Sequence, residues 1–316
     1  DVTDLESVQD QIVQAGSDDK QWNRWRANGI EGVKRHFSWD AHVCNYMALV
    51  QKRLQSSKKQ ELMLGGTEEK NYFGGKLLLL DLDSTLEQSD SESISKLREK
   101  LEDSFAKNSN KLGVFTGRSL KAARYRYSEF CLPEPAVWIC RAGTEIFYGS
   151  EDQEDLSWEL SIKKDWNSLS VKESLSNLKD YLVLQEIDQQ STFKVSYLLK
   201  ETGEKILPLV RKRLIQNNVA AIPHVRCHWF LDVLPLRASR VEAIRYLILR
   251  WGIPLQDVFI VASQQGDAEL LRGLTQAIVP SEHDTSLEAL RSHQRTFFAS
   301  RSKNGVLDGL KHYRFF

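Results

Sequence analysis

Residues 74–86 read GGKLLLLDLDSTL, and the rest of the chain is organised around this stretch. Two glycines upstream of four leucines predict a short strand buried on both faces, as strands are in a parallel sheet. The strand leads directly into Asp81 and Asp83. Ligands of open α/β sheets bind at the carboxyl ends of the strands, so we expect a polar site here.

The spacing of these two carboxylates allows a specific chemistry. If the backbone stays extended through Leu82, the side chains of Asp81 and Asp83 share one face, and their crowding requires a cation or a proton. One carboxylate can attack a phosphorus atom and form an aspartyl-phosphate, while the other exchanges protons with the leaving alcohol and then with water. Thr85 can offer its hydroxyl to the same phosphate. The alternative is a strand that ends in a solvated acidic turn.

Composition argues against several classes of partner. Lys plus Arg and Asp plus Glu both number 43, so no basic face recommends a nucleic acid or an acidic membrane. The four cysteines show neither C-x-x-C spacing nor the density of a disulfide scaffold, which favours a reducing cytoplasm. No apolar run approaches the ~20 residues that span a bilayer, and the acidic first residues do not resemble a signal peptide. We therefore expect a soluble protein.

The chain of 316 residues is long enough for two domains of ordinary size. Residues 1–56 carry apolar side chains at helical intervals that two glycines interrupt, which predicts short helices without a core of their own. Residues 57–75 have the Gly, Ser, Lys and Glu composition of a linker. Beyond the first strand, the pattern predicts an amphipathic helix over residues 91–105 and a second buried strand over residues 111–115.

The second strand ends in Thr116, Gly117, Arg118 and Ser119. A hydroxyl, a glycine that permits close approach and the amides of the following helix together form a phosphate cradle. Alone, the T-G-R motif is weak evidence for a phosphate site. Its position after D-x-D-x-T supports that interpretation. Arg118 either touches the substrate or is an ordinary surface arginine at the start of a helix.

A buried strand with D-x-D-x-T, followed by a second strand with T-G-R-S, resembles the haloacid-dehalogenase-like phosphohydrolases. The resemblance implies an α/β fold with a Rossmann-like, three-layer parallel sheet and an inserted α+β cap. It implies Asp81 as the nucleophile, Asp83 as the proton shuttle and Thr116 as the phosphate-binding hydroxyl. It also implies Mg²⁺ as the cofactor.

Two further segments resemble the sucrose-phosphate phosphatases within that superfamily. The first is G-T-E-I at residues 143–146, where Glu145 either binds a sugar hydroxyl or caps the strand. The second is F-K-V-S-Y at residues 193–197, which implies that Lys194 pairs with the phosphate of a sugar phosphate. A lysine in a strand is also commonly a solvated edge residue.

These segments predict where the cap is inserted. The cap is expected at residues 151–226, between core segments at residues 76–150 and 227–316. Its own α+β pattern is helix, strand, helix, strand, over residues 171–182, 192–199, 203–216 and 225–231.

Two motifs depart from the phosphatase pattern. Arg240 stands where the phosphatases carry a lysine; it keeps the charge, but its planar fork does not reproduce an ammonium contact. Ser263 replaces an aspartate ligand of Mg²⁺, so the remaining ligands are Asp81, the backbone carbonyl of Asp83, water and, if the alignment shifts by one residue, Asp267. At an effective dielectric constant of 20, one charge pair at 4 Å is worth about 4 kcal/mol, so we expect weakened binding of the metal.

Residues 28–46 resemble the closing segment of the glycosyltransferase part of sucrose-phosphate synthases, which have the GT-B fold. The alternative for residues 1–56 is a helical cap on the domain that follows. The resemblance implies a glycosyltransferase domain earlier in the same chain and a separate sucrose-phosphate phosphatase as a docking partner.

Three functions follow from these observations. The chain is the phosphatase-like domain of a sucrose-phosphate synthase, with a sugar-phosphate cleft and little hydrolysis; or it is a working Mg²⁺-dependent sucrose-6-phosphate phosphatase; or it is a phosphatase for another sugar phosphate. Arg240 and Ser263 favour the first.

Overall fold

The fold is given by a computed structural model, in which two compact units, Asp1–Glu69 and Lys70–Phe316, are distinguished. Most of the predicted linker, residues 57–73, lies outside the described residues, as do Cys44 and Asn45 of the synthase-like segment. The described residues are 5–36, 38–40, 42–43, 46–47, 74–86, 89–226, 228–299 and 305–316.

The first unit contains two helices, α1 (Leu5–Ser17) and α2 (Asp19–His36). The prediction of short helices divided by glycines is wrong for α2, which continues through Gly29 and Gly32. A glycine costs a helix only about 1 kcal/mol relative to alanine, which two glycines in 18 residues do not turn into a break. None of the helices described in either unit is both long and apolar enough to span a bilayer.

The second unit is built on a sheet of eight strands in the order β12-β11-β10-β1-β2-β3-β4-β5. The six strands from β12 to β3 are parallel, and β4 and β5 are antiparallel additions at one edge. The central position of β1 confirms the predicted α/β fold. The strands are β1 (Leu77–Asp81), β2 (Lys111–Phe115), β3 (Val137–Cys140), β4 (Glu145–Tyr148), β5 (Gln153–Glu154), β10 (Val258–Val261), β11 (Gln276–Val279) and β12 (Thr296–Phe298).

Helices cover both faces of this sheet. Leu78 and Leu80 point into a core shared with α3 (Ser91–Lys107), α4 (Leu120–Ser128) and α10 (Gly305–His312). Leu77 and Leu79 point into the opposite core, which α5 (Leu156–Ile162), α8 (Arg240–Trp251) and α9 (Ala268–Leu271) complete. The alternation of side chains along β1 thus explains why all four leucines are fully buried.

A second, antiparallel sheet has the order β6-β7-β9-β8. Helices α6 (Ser168–Leu175) and α7 (Gly203–Gln216) pack on one of its faces. The strands are β6 (Leu182–Leu184), β7 (Val195–Leu199), β8 (Ala221–Arg226) and β9 (Phe230–Pro235).

The end of the second sheet differs from the prediction in two ways. Residues 225–231 are not one strand, because His228 at φ 62° turns the chain and separates β8 from β9. The sheet continues to Pro235, and not to residue 226, because pairing of β9 with β7 and β8 buries Leu231 and Val233.

Candidate active site

Asp81 is the last residue of β1 and its side chain is completely buried. The Ser84 hydroxyl donates a hydrogen bond to its Oδ2, and the Asp83 amide donates to its Oδ1 at 3.2 Å. Burial, reinforced by the charges of Asp267 and Asp83 and opposed by Arg240, raises the pKa of Asp81 to about 7. The proposed nucleophile is therefore partly protonated near neutral pH.

The chain does not stay extended beyond Asp81. Residues Leu82–Leu86 form one turn of π-helix, so the expectation that Asp81 and Asp83 share one face of a strand is wrong. The turn forms where the strand ends and its backbone amides can find acceptors, such as the Asp81 carboxylate. It directs Asp83 towards the loop after β2. Ser84, which sequence reasoning missed, is brought under Asp81 by the same turn.

Asp83 occupies the predicted phosphate cradle. Its Oδ2 accepts hydrogen bonds from the Thr116 hydroxyl at 2.9 Å and from the Gly117 amide at 2.8 Å, and its Oδ1 accepts one from Arg118 Nε at 2.8 Å. Burial opposes ionisation, but Arg240 and these three donors outweigh it and hold the pKa of Asp83 below its ordinary value. A phosphate that used Thr116 and Gly117 would have to displace this carboxylate.

Arg240 begins α8 and connects the carboxylates. Its Nη1 donates to Asp267 Oδ1 at 2.9 Å, and its Nη2 lies 3.9 Å from Asp83 Oδ2. Burial alone would lower the pKa of Arg240, but Asp267, Asp81 and Asp83 raise it above its ordinary value, so the guanidinium remains charged. The N-cap of the helix, Ser239, fixes its start by accepting a hydrogen bond from the amide two residues after Arg240.

The predicted Mg²⁺ ligands do not fit an octahedral metal site in this arrangement. One observation favours a cation, since Asp267 Oδ2 is buried without a hydrogen-bond partner among the described residues. However, both oxygens of Asp81 already accept hydrogen bonds, from Ser84 and from the Asp83 amide, and the other oxygen of Asp267 pairs with Arg240. Among the residues that the structure describes, no group of three His, Cys, Asp or Glu side chains could hold a metal ion. Ser263, which is 3% exposed, adds no charge.

Two other predicted residues lie in the same unit without a demonstrated role. Thr85 is 1% exposed, and its hydroxyl has no hydrogen-bond partner in the described part of the chain. Glu145 begins β4, and its carboxylate lies 3.7 Å from Arg141 Nε. Burial, opposed by Arg141, raises the pKa of Glu145. Binding of phosphate by Thr85 and of a sugar hydroxyl by Glu145 both remain predictions.

Lys194 is neither a solvated edge residue nor a neighbour of the Asp81 carboxylate. Its side chain is completely buried, and its Nζ lies 3.5 Å from Asp232 Oδ1. Burial, only partly offset by Asp232, lowers the pKa of Lys194. Asp232 also accepts hydrogen bonds from Ser196 Oγ at 2.6 Å and from Arg226 Nε at 3.2 Å. Sequence reasoning missed Asp232 and Arg226.

A cavity of about 600 Å³ lies between the second sheet and the ends of the main strands. Arg240 forms part of its wall, so the cavity is next to the carboxylate cluster. Its volume falls in the ~300–1,000 Å³ range of small-molecule sites. The second sheet lines one side, and loops and a helix start that follow the main strands line the other; the lining includes His224, Arg226, Asp232, Arg240, Ser263 and Asp284.

The central strand that ends in a buried aspartate, the T-G-R loop beside it and the second α+β layer define a capped, haloacid-dehalogenase-like protein. Sequence comparison then gives the family: the profile of the family described as sucrose-6F-phosphate phosphohydrolase matches residues 75–314, and the chain belongs to this family.

Individual relatives include synthases and phosphatases. Probable sucrose-phosphate synthase 2 of Oryza sativa subsp. japonica is 24% identical, over 87% of this chain and 32% of the rice protein. The chain thus spans about a third of that relative. Sucrose-phosphatase 2 of Nicotiana tabacum is 30% identical, over 54% of this chain and 41% of the tobacco protein.

A solved structure shows the same fold. The sucrose-phosphatase of Synechocystis sp. PCC6803, in complex with sucrose and phosphate, superposes with a TM-score of 0.68 at 21% identity. The superposition covers 76% of this chain and 98% of the Synechocystis chain.

Proposed function

We propose that this chain carries the phosphatase-like domain of a sucrose-phosphate synthase, which binds sucrose-6-phosphate or a related sugar phosphate and hydrolyses it weakly or not at all. The observation that carries the proposal is the convergence of Asp81, Asp83 and Asp267 on the guanidinium of Arg240. The domain acts in sucrose synthesis, in the cytoplasm.

The charges at this site explain why hydrolysis is weak. Phosphoryl transfer depends on positive charge placed around the transferred group. Two guanidinium groups, those of Arg118 and Arg240, face three carboxylates, so no positive charge is left over for a phosphate dianion. Asp81 is also a poor nucleophile while it carries a proton, since only the ionised carboxylate attacks.

The residues that remain are suited to binding. When Asp83 turns away, the Thr116 hydroxyl and the Gly117 amide become donors for a phosphate oxygen. Arg240 remains charged and can pair with the same phosphate, and the cavity beside Arg240 has room for the sugar. Asp83 and the phosphate compete for one set of donors, which favours moderate affinity.

Sequence relatives support the synthase context. The rice synthase aligns over 87% of the chain, which is more than residues 75–314 can supply, so the likeness extends into the segment before them. That segment resembles the end of a glycosyltransferase. We propose the glycosyltransferase domain of the same chain, and a separate sucrose-phosphate phosphatase, as partners of this domain.

The test combines binding with turnover. Calorimetric titration of the full chain with sucrose-6-phosphate is expected to show binding. Release of phosphate, measured with and without Mg²⁺, is expected to match that of the Asp81→Asn variant. Failure to bind sucrose-6-phosphate would refute the proposed ligand.

A second function is favoured by one observation. The buried Oδ2 of Asp267, which has no hydrogen-bond partner among the described residues, is an oxygen that a cation could use. The alternative is therefore an active Mg²⁺-dependent sucrose-6-phosphate phosphatase. Turnover within the ordinary enzymatic range of ~1–1,000 per second, abolished by Asp81→Asn, would establish it.

A further inference from the structure

Arg226, the last residue of β8, reaches from the second sheet to the T-G-R loop. A Cβ atom built on Gly117 would lie 3.3 Å from both Cζ and Nε of Arg226. The guanidinium therefore covers the backbone of Gly117, which is part of the predicted phosphate cradle. Arg226 also lines the cavity, together with Arg240.

Asp232 holds this guanidinium in place. Its Oδ2 accepts from Arg226 Nε at 3.2 Å, while its Oδ1 is held by Ser196 and by Lys194. Asp232 is 1% exposed, and the ring of Phe230 lies 5.1 Å from Arg226 Cζ. An arginine fixed by a buried carboxylate has little conformational entropy left to lose when it binds a ligand.

Part of the guanidinium remains available for a ligand. Nε is used by Asp232, whereas Nη1 and Nη2 of Arg226 donate no hydrogen bond to any residue that the structure describes. The side chain is 23% exposed, and the cavity is on its open side. Two terminal nitrogens of an arginine match two oxygens of a phosphate.

The charges around the cavity indicate that Arg226 binds a negatively charged ligand. Lys194 and Arg226 face the single carboxylate of Asp232, so the second sheet presents one positive charge in excess. The main sheet presents two guanidinium groups against three carboxylates. The cation that the main sheet lacks for a phosphate is thus supplied by the second sheet.

We propose that Arg226 binds the phosphate group of the sugar phosphate, on the same side of the site as Thr116 and Gly117. This inference rests on the proposed function and deepens it, because it names the residue that distinguishes the phosphorylated from the free sugar. Lys194, which the sequence pointed to, is then a positioning residue that acts through Asp232.

The test compares ligands with and without the phosphate. The full chain, Arg226→Gln and Arg226→Lys are titrated calorimetrically with sucrose-6-phosphate, sucrose and inorganic phosphate. Arg226→Gln is expected to weaken the binding of sucrose-6-phosphate about 10- to 100-fold, as loss of a charged hydrogen bond does. The affinity for sucrose is expected to stay within about twofold of that of the wild type. Arg226→Lys is expected to recover part of the loss. Arg245→Gln, on the exposed side of α8, is the matched control and is expected to bind like the wild type.

The outcomes separate this inference from the function on which it rests. Equal binding of sucrose-6-phosphate by the wild type and Arg226→Gln overturns the inference, as does an equal loss for sucrose and sucrose-6-phosphate, which indicates a structural role. If the wild type binds inorganic phosphate through Arg226 but not sucrose-6-phosphate, the proposed function fails and the anion site stands. If it binds neither, both fail.

Discussion

Among single residues, Asp81 ties the stability of the fold to pH. Its pKa in the folded chain is about 7, against an ordinary value of 3.8. Between these values the unfolded chain has lost the proton that the folded chain keeps, so stability falls as pH rises and the penalty is complete above pH 7. We expect Asp81→Asn, which mimics the protonated form, to be more stable than the wild type at pH 8 by about 4 kcal/mol, since one pKa unit corresponds to about 1.4 kcal/mol. Urea unfolding measures the difference.

The pH dependence supplies the control. Near pH 4 both the wild type and Asp81→Asn carry an uncharged side chain, so the difference is expected to vanish. Asp83→Asn should change stability in the opposite sense, because the pKa of Asp83 is lowered and its ionised form stabilises the fold above pH 4. If Asp81→Asn raised the free energy of unfolding by the same amount from pH 4 to pH 8, the raised pKa of Asp81 would be contradicted.

Ser263 offers a second prediction, concerning Mg²⁺. A carboxylate at this buried position adds a charge worth about 4 kcal/mol to a cation at 4 Å, before desolvation reduces it. We expect Ser263→Asp to bind Mg²⁺ at least tenfold more tightly than the wild type in calorimetric titration. Ser95→Asp, on the exposed face of α3, is the matched control and should change nothing. Identical Mg²⁺ binding by all three proteins would show that the charge at residue 263 does not limit the site.

The site residues differ in how far the sequence could predict them. Asp83, Thr116 and Gly117 lie in local motifs, and the parallel order of β1 and β2 brings them together as expected. Arg226 carries no local signal, because its place over Gly117 depends on how the second sheet packs on the first. The sequence also could not show that Lys194 lies beside Asp232, because a one-dimensional pattern does not reveal which carboxylate a buried lysine meets.

At the level of elements, the sequence could best predict the strands that are buried on both faces, because they are continuous apolar runs. The strands β1 and β2 are short apolar runs, and the sequence predicted both of them. The sequence did not predict the hairpin between β8 and β9, because its turn contains neither glycine nor proline. The turn depends instead on His228, which has a positive φ. The π-turn after β1 escaped because D-x-D spacing suits an extended strand equally well.

The turn between β3 and β4 makes a prediction about how α8 is positioned. Gly143 has φ 96°, and a Cβ there would lie 2.4 Å from the backbone of Ser239, next to Arg240. Gly143→Ala is expected to destabilise the protein by more than about 2 kcal/mol, since left-handed strain and a backbone clash add. It should also weaken binding of sucrose-6-phosphate, because the start of α8 carries Arg240. Chemical unfolding and calorimetry measure the two effects.

Gly149 is the matched control for that substitution. Its φ is 65°, but a Cβ there meets no atom within 4 Å. Gly149→Ala therefore incurs the backbone strain alone, about 1 kcal/mol, and should leave ligand binding unchanged. Equal losses of stability for the two variants would show that contact between the turn and α8 does not matter.

At the scale of the whole molecule, the second unit has hydrophobic cores of its own. Among the residues that the structure describes, three hydrophobic cores are formed by buried side chains between Leu77 and Phe315. The family profile covers nearly the same span, residues 75–314. We therefore expect a fragment of residues 70–316 to fold cooperatively and to bind sucrose-6-phosphate within about twofold of the full chain. Thermal unfolding and calorimetry of the fragment test this.

Residues near the end of the chain complete one of these cores. Val306, Leu307, Leu310 and Phe315 are each at most 9% exposed and complete the core on the α3 side of the main sheet. Burial of one such side chain is worth about 2 kcal/mol, so removing all four costs about 8 kcal/mol, which is comparable to the whole stability of a typical domain, about 5–15 kcal/mol. A fragment of residues 70–299 is therefore expected to remain unfolded. A cooperative transition in that shorter fragment, or none in residues 70–316, would contradict this assignment of the cores.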